Sequence, residues 1–114
     1  ADRLMQYWQH WRETQSLDDC QGKCLAVKLG AEVSDLSEPM RIALKDGTTG
    51  ITERIARMIT AGQADGSLSS EIEPARTAQM LYDLWLGASV MAKIHRTMDS
   101  VDNAYSITAQ TLHP

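Results

Sequence analysis

The chain carries two thiols, and both fall in one stretch, Cys20-Gln21-Gly22-Lys23-Cys24-Leu25-Ala26-Val27-Lys28. Helical periodicity resumes just after Gly22, which puts Cys24 in the first turn of a helix. There its thiolate would feel the positive end of the helix dipole, with Lys23 and Lys28 adding charge. A thiolate favoured in this way attacks electrophiles and oxidants and enters the reversible part of the oxidation ladder. A free cysteine also packs well as a small buried apolar residue, and that alternative stays open. Cys20, four residues upstream in a turn, is either a resolving partner for Cys24 or an incidental loop thiol.

The next candidates are a lysine and a set of rings. Lys93 sits among Val90, Met91, Ala92 and Ile94, so it either snorkels to the surface or lies inside with a lowered pKa. Tyr7, Trp8, Trp11, Tyr82 and Trp85 recur at helical spacing, and the chain has no Phe. Such rings line pockets for planar ligands or form plain core, and about half are expected at a pocket. His10, His95 and His113 match no metal spacing. Asp18, Asp19, Glu71 and Glu73 read as caps or solvated charge. No phosphate-binding loop, Ser-His-Asp order or paired zinc motif occurs, so no metal, cofactor or enzymatic site is expected.

Composition narrows the class further. At 114 residues and 43% hydrophobic content the chain suits one folded domain. Its formal charge is −4 and its Lys and Arg residues are scattered, which does not fit a segment that grips nucleic acid by itself. No apolar run approaches the roughly 20 residues of a membrane span. The start, Ala1-Asp2-Arg3-Leu4-Met5-Gln6, is polar and amphipathic, unlike a signal peptide. Two cysteines at this spacing make neither a disulfide framework nor a zinc site, so a reducing, cytoplasmic setting is expected. The chain enters a helical pattern almost at Ala1, as a piece of a longer protein would.

Five helices must position these residues. Leu4, Tyr7, Trp8 and Trp11 predict an amphipathic helix over 2–17. Residues 18–22 read as a turn, and a shorter helix runs over 23–35. Ser37-Glu38-Pro39 starts a third helix that ends near Gly62, carrying Met40, Leu44, Gly47, Ile51, Ile55 and Met58, with Gly47 and Gly50 marking a bend or a close approach. After a turn at 64–67, Leu68 tucks back as an anchor. Glu73-Pro74 opens a fourth helix, to about Thr97, that is apolar around most of its surface and must be covered on several sides. Asp99 or Ser100 caps a fifth helix with Val101, Ala104, Tyr105, Thr108 and Leu112 on one face. The class is all-α, an antiparallel bundle.

Five segments in this order resemble the C-terminal ligand-binding and dimerisation domain of TetR/AcrR-family transcriptional repressors. They are 22–33, Asp35-Leu36-Ser37-Glu38-Pro39-Met40-Arg41, 61–68, Pro74-Ala75-Arg76 and Leu84-Trp85-Leu86-Gly87-Ala88. Within the family, Cys24–Leu36, Leu81–Ala88 and Ala92-Lys93-Ile94 are most similar to the electrophile-responsive N-ethylmaleimide repressor branch. The resemblance implies that residues 1–114 form an effector-sensing domain. The helix-turn-helix that touches DNA would lie outside this chain, so DNA is reached only through that other domain. It implies a small-molecule effector bound near Trp8, Trp11, Tyr82 and Trp85, with Cys24 as the reactive or packed thiol and Lys93 facing the pocket close to it. It also implies a homodimer built by the last two helices, through Leu84, Gly87, Ala88 and Met91 on one and Val101, Tyr105, Thr108 and Leu112 on the other. Two alternatives remain: the same fold with a non-covalent hydrophobic inducer and a structural Cys24, and a small helical-bundle enzyme.

Overall fold

The computed structural model describes residues 2–15 and 37–114. Four helices appear among them: α1 (Asp2–Gln15), α2 (Glu38–Ala64), α3 (Pro74–His95) and α4 (Asp99–Leu112). The helix expected over 23–35, and with it Cys20, Lys23, Cys24 and Lys28, lies outside the described residues. Among the described residues there is no strand.

Each helix starts and stops for local reasons. Ser37 caps α2, its Oγ accepting from the Met40 amide at 3.4 Å, with Pro39 in the first turn where its missing N–H is harmless. Glu73 caps α3 by accepting from the Ala75 and Arg76 amides, and Pro74 follows it. These bonds hold the Glu73 carboxyl below its ordinary range. Neither Asp99 nor Ser100 caps α4. Met98 occupies the cap position without a side-chain bond, and Asp99 and Asp102 stand in the first turn, where their charge favours the positive helix end.

The close approach expected at Gly47 or Gly50 occurs instead at Gly62. Among the described residues nothing lies within 4 Å of a Cβ placed at Gly47 or Gly50, whereas one at Gly62 would overlap the Leu68 side chain. Leu68 is the anticipated anchor. Its amide and that of Ser67 both donate to the Gly62 carbonyl, and the chain reverses through Gly66 at φ +81°.

α2 packs on α3, α3 on α4, and α1 lies against α2 and α4. The Ser69 amide, just before α3, donates to the carbonyl of Leu112 at the end of α4 at 3.0 Å. That contact fixes α4 as antiparallel to α3. The Gln63 side chain ties the same loop to the end of α2, donating to the Ser69 and Ile72 carbonyls. The core runs from Leu4, Trp8 and Trp11 of α1 through Ile55 and Ile59 of α2 to Leu81 and Trp85 of α3 and Val101, Ala104 and Leu112 of α4. Of the anticipated α2 seam, Ile55 is buried, Leu44, Ile51 and Met58 are half-buried, and Met40 and Gly47 are exposed. Burial in α2 begins at Thr52, so its first half stands clear of this core.

Candidate functional site

The rings singled out in the sequence converge on one point. Helical spacing stacks Leu4, Trp8 and Trp11 on the inner face of α1, and Leu81, Tyr82 and Trp85 on the facing side of α3. Trp8 stacks on Trp85 with centroids 5.0 Å apart and planes 18° from parallel. Trp11 meets Trp85 at 5.6 Å and presents an edge contact to Tyr82 at 5.7 Å. Tyr7 leans on Trp8 at 4.9 Å. Offset and edge-to-face pairs of this kind add roughly 0.5–1.5 kcal/mol each beyond their burial.

Polar handles orient the rings. The Trp11 indole donates to Ser89 Oγ at 2.9 Å, and the Trp85 indole donates to Thr108 Oγ1 at 2.9 Å. The Trp8 indole N–H, equally buried, has no hydrogen-bond partner among the described residues. Burial, reinforced by Tyr82 and opposed by Arg54, pushes the Tyr7 phenol up to about 12. Burial, then Asp83, raises Tyr82 as well. Both phenols are therefore neutral donors at ordinary pH, in a region of low dielectric.

A second feature lies on the opposite side of α3. An open groove of about 590 Å³ runs between the outer faces of α3 and α4, lined by Leu84, Gly87, Ala88 and Met91 from α3 and by Asn103 and Ile107 from α4. Met80, Val90, Met91, Ile94 and Ile107 are exposed large apolar residues. α3 is thus apolar on two sides, one filled by the core and one bare.

The anticipated residues divide accordingly. Leu84, Gly87, Ala88 and Met91 line the groove. Val101, Thr108 and Leu112 do not: they are 0%, 0% and 1% exposed and point into the protomer's own core, where a second chain cannot touch them. Tyr105 turns toward α1, with the Arg12 guanidinium 4.2 Å above its ring. The outer face of α4 is instead Ser100, Asn103 and Ile107. The more apolar face of α4, on which the sequence places the interface, is the core stripe. Ile107 is a bulky apolar residue off that stripe, exposed on the groove side. Ser89 and Thr108 were also missed as indole acceptors. Lys93 is exposed, as are His10, His95 and His113. Its anticipated neighbour Cys24 lies outside the described residues. Among the described residues no three His, Cys, Asp or Glu side chains gather to hold a metal, and no helix is long and apolar enough to cross a membrane.

A helical bundle with an aromatic heart and a bare apolar face on its last two helices is the architecture of a TetR-type regulatory domain. The chain belongs to that family: the pattern of the tetracyclin repressor-like C-terminal domain matches residues 1–108. It is 39% identical over 103 residues to the HTH-type transcriptional repressor NemR of Escherichia coli K12, covering 90% of this chain and 52% of that protein. It is 30% identical over 96 residues to the HTH-type transcriptional repressor DhaR of Mycobacterium sp. strain GP1, covering 84% and 48%. The fold superposes on the crystal structure of E. coli NemR in its reduced form with TM-score 0.88 and 38% identity, over 99% of this chain and 59% of that one. A second crystal structure, of a TetR/AcrR-family regulator, gives TM-score 0.82 and 35% identity over 96% and 57%. The chain thus spans about half the length of the curated relatives it matches, and those relatives are transcriptional repressors.

Proposed function

We propose that this chain is the effector-sensing and dimerisation part of a TetR-family transcriptional repressor, and that it responds to a small hydrophobic or electrophilic compound. The observation that carries the reading is the 39% identity to a transcriptional repressor across 90% of the chain. In this reading the effector enters the bundle and shifts its helices. The shift changes the spacing of two DNA-reading heads supplied by a helix-turn-helix domain of a longer protein. DNA is contacted by those heads alone, in the cytoplasm, and this part performs no catalysis. Two copies pair through the bare α3–α4 faces, placing four helices side by side. The exposed Met91 and Ile107 support the pairing, since burying an apolar side chain of this size contributes roughly 1.5–3 kcal/mol.

Cys24 is the proposed covalent sensor, with Lys93 supplying positive charge. A second reading keeps the fold and the dimer but makes the inducer non-covalent and Cys24 a packing residue. The gathering of Tyr7, Trp8, Trp11, Tyr82 and Trp85 into one cluster favours it, because stacked rings hold a planar compound without bond formation.

Iodoacetamide labelling against pH, read by mass spectrometry, decides between them. The sensor reading expects Cys24 to label faster than a model thiol near pH 7. Equal rates, together with an undiminished ligand response in Cys24→Ser, select the non-covalent inducer. For the whole reading, operator release from the complete protein on adding electrophiles or planar apolar compounds is the expected result. A protein that never binds DNA overturns it.

A further inference from the structure

Gly87 stands near the middle of α3 in ordinary helical backbone, with no left-handed φ that would ask for glycine. Space does not ask for it either: among the described residues nothing lies within 4 Å of a Cβ placed there. Glycine in a helix interior weakens the helix relative to alanine. Nothing described in its own protomer accounts for the residue.

A bare apolar seam runs to either side of it. Met80, Leu84, Gly87, Met91 and Ile94 follow one another in steps of four, three, four and three, which keeps them on one side of the helix. Met80, Met91 and Ile94 are 48%, 42% and 65% exposed, and Leu84 is half-buried beside the groove. The seam reads nearly the same in both directions from Gly87. Met80 and Ile94 lie seven residues away on either side, and Leu84 and Met91 lie three and four away. Two identical chains packed about a twofold axis require such a pattern, because residue i meets j wherever j meets i. A different partner protein has no use for it.

We infer that the twofold axis of the dimer passes at Gly87, where α3 of one copy crosses α3 of a second copy in antiparallel sense with the two backbones in close approach. The inference rests on the dimer of the reading above and assigns its axis and its crossing residue. The missing side chain lets the helices come nearer than the usual ~8–10 Å between axes. Antiparallel crossing sets Leu84 beside Met91 of the partner subunit and Met80 beside Ile94 of the partner subunit, so bulky side chains close the seam around the central hole. Charge favours the same sense. Glu73, Arg76 and Asp83 leave the first half of α3 and its cap net negative, and Lys93 and Arg96 make its far end net positive. An antiparallel pair places unlike ends together and opposes the two helix dipoles, whereas a parallel pair places like ends together.

Sedimentation velocity and disulfide trapping on the whole chain test it. Gly87→Leu should keep the helical circular dichroism, because the protomer has room, and should weaken the dimer by at least about tenfold by forcing the crossing helices apart. Gly87→Cys should form an interchain disulfide on mild oxidation, since a residue on the axis meets its own copy within the ~7 Å between α-carbons that a disulfide spans. Leu84→Cys should not link to its own copy, because three residues of helix hold each ~4.5 Å from the axis in opposite directions. Peptide mass spectrometry tells these links from any made by Cys20 or Cys24. An unweakened dimer in Gly87→Leu, an unlinked Gly87→Cys, or a Leu84→Cys that links to itself as fast as Gly87→Cys overturns the inference and leaves the dimer standing. Loss of the helical signal in Gly87→Leu overturns it too, because the glycine would then serve its own protomer. An unaltered chain that sediments as a monomer at micromolar concentration overturns the dimer and the inference together, and operator release from the complete protein judges the sensing reading separately.

Discussion

The indole of Trp85 on α3 donates to Oγ1 of Thr108 on α4 at 2.9 Å, and that hydroxyl in turn donates a hydrogen bond to the Ala104 carbonyl at 2.7 Å. The relay joins two helices inside one protomer, with Thr108 wholly buried. Thr108→Val preserves shape and removes the acceptor, leaving the Trp85 N–H buried without a partner. The expected loss is about 1–3 kcal/mol, the desolvation of an unmade donor. A lowered urea midpoint at unchanged slope measures it. Because Thr108 faces inward, the variant should leave the dissociation constant of the proposed dimer unchanged at concentrations where the protein is folded.

The two faces of α4 predict opposite outcomes for the same chemistry. Ile107 is 47% exposed on the groove side, whereas Val101 is 0% exposed on the core side. Ile107→Glu should preserve the helical circular dichroism and weaken the proposed dimer by at least about tenfold, since each copy would place a charge in an apolar contact. Val101→Glu should lose the folded state itself. Sedimentation velocity beside circular dichroism separates the two. Unaltered dimers in Ile107→Glu would remove the α3–α4 face as the interface.

Gly62 has no room for a side chain because Leu68 folds across it. Gly62→Ala should destabilise by about 1–3 kcal/mol, the usual range for overpacking. The obstruction is a side chain rather than backbone, so trimming it should help. Thermal melts of Gly62→Ala, Leu68→Ala and the double variant should show the pair losing less than the sum of the single losses.

These sites differ in how much of them the sequence reveals. The Leu68 anchor, the Ser37-Glu38-Pro39 start and the Glu73-Pro74 start are local events, readable because capping and turn chemistry depend on a few neighbouring residues. The Trp8, Trp11, Tyr82 and Trp85 set was legible as helical-period aromatics. Its partners Ser89 and Thr108 were not, since a hydroxyl's role is set by which ring another helix brings to it. α4 shows the same limit. Its stripe of Val101, Thr108 and Leu112 announces an apolar face, and periodicity cannot tell a core from an interface. Packing against α3 decides it, and leaves the weaker face, with Ile107, on the outside.

Tyr7 predicts how the fold answers alkali. Burial is the main cause of its raised value, with Tyr82 adding to it and Arg54 opposing, and the phenol moves from 10.0 to about 12. The protein holds the proton more tightly when folded than when unfolded. Between those two values the unfolded chain loses this proton while the folded chain keeps it, and that difference works against folding as pH rises. The contribution is therefore fully present below pH 10 and is lost on passing through about pH 12. Tyr7→Phe has no proton to lose, so its stability should decline less steeply across this window than the parent's. Urea midpoints taken at successive alkaline pH values check the slope, and phenolate absorbance reports the ionisation. Equal slopes in the two proteins would mean that Tyr7 ionises as freely in the fold as out of it.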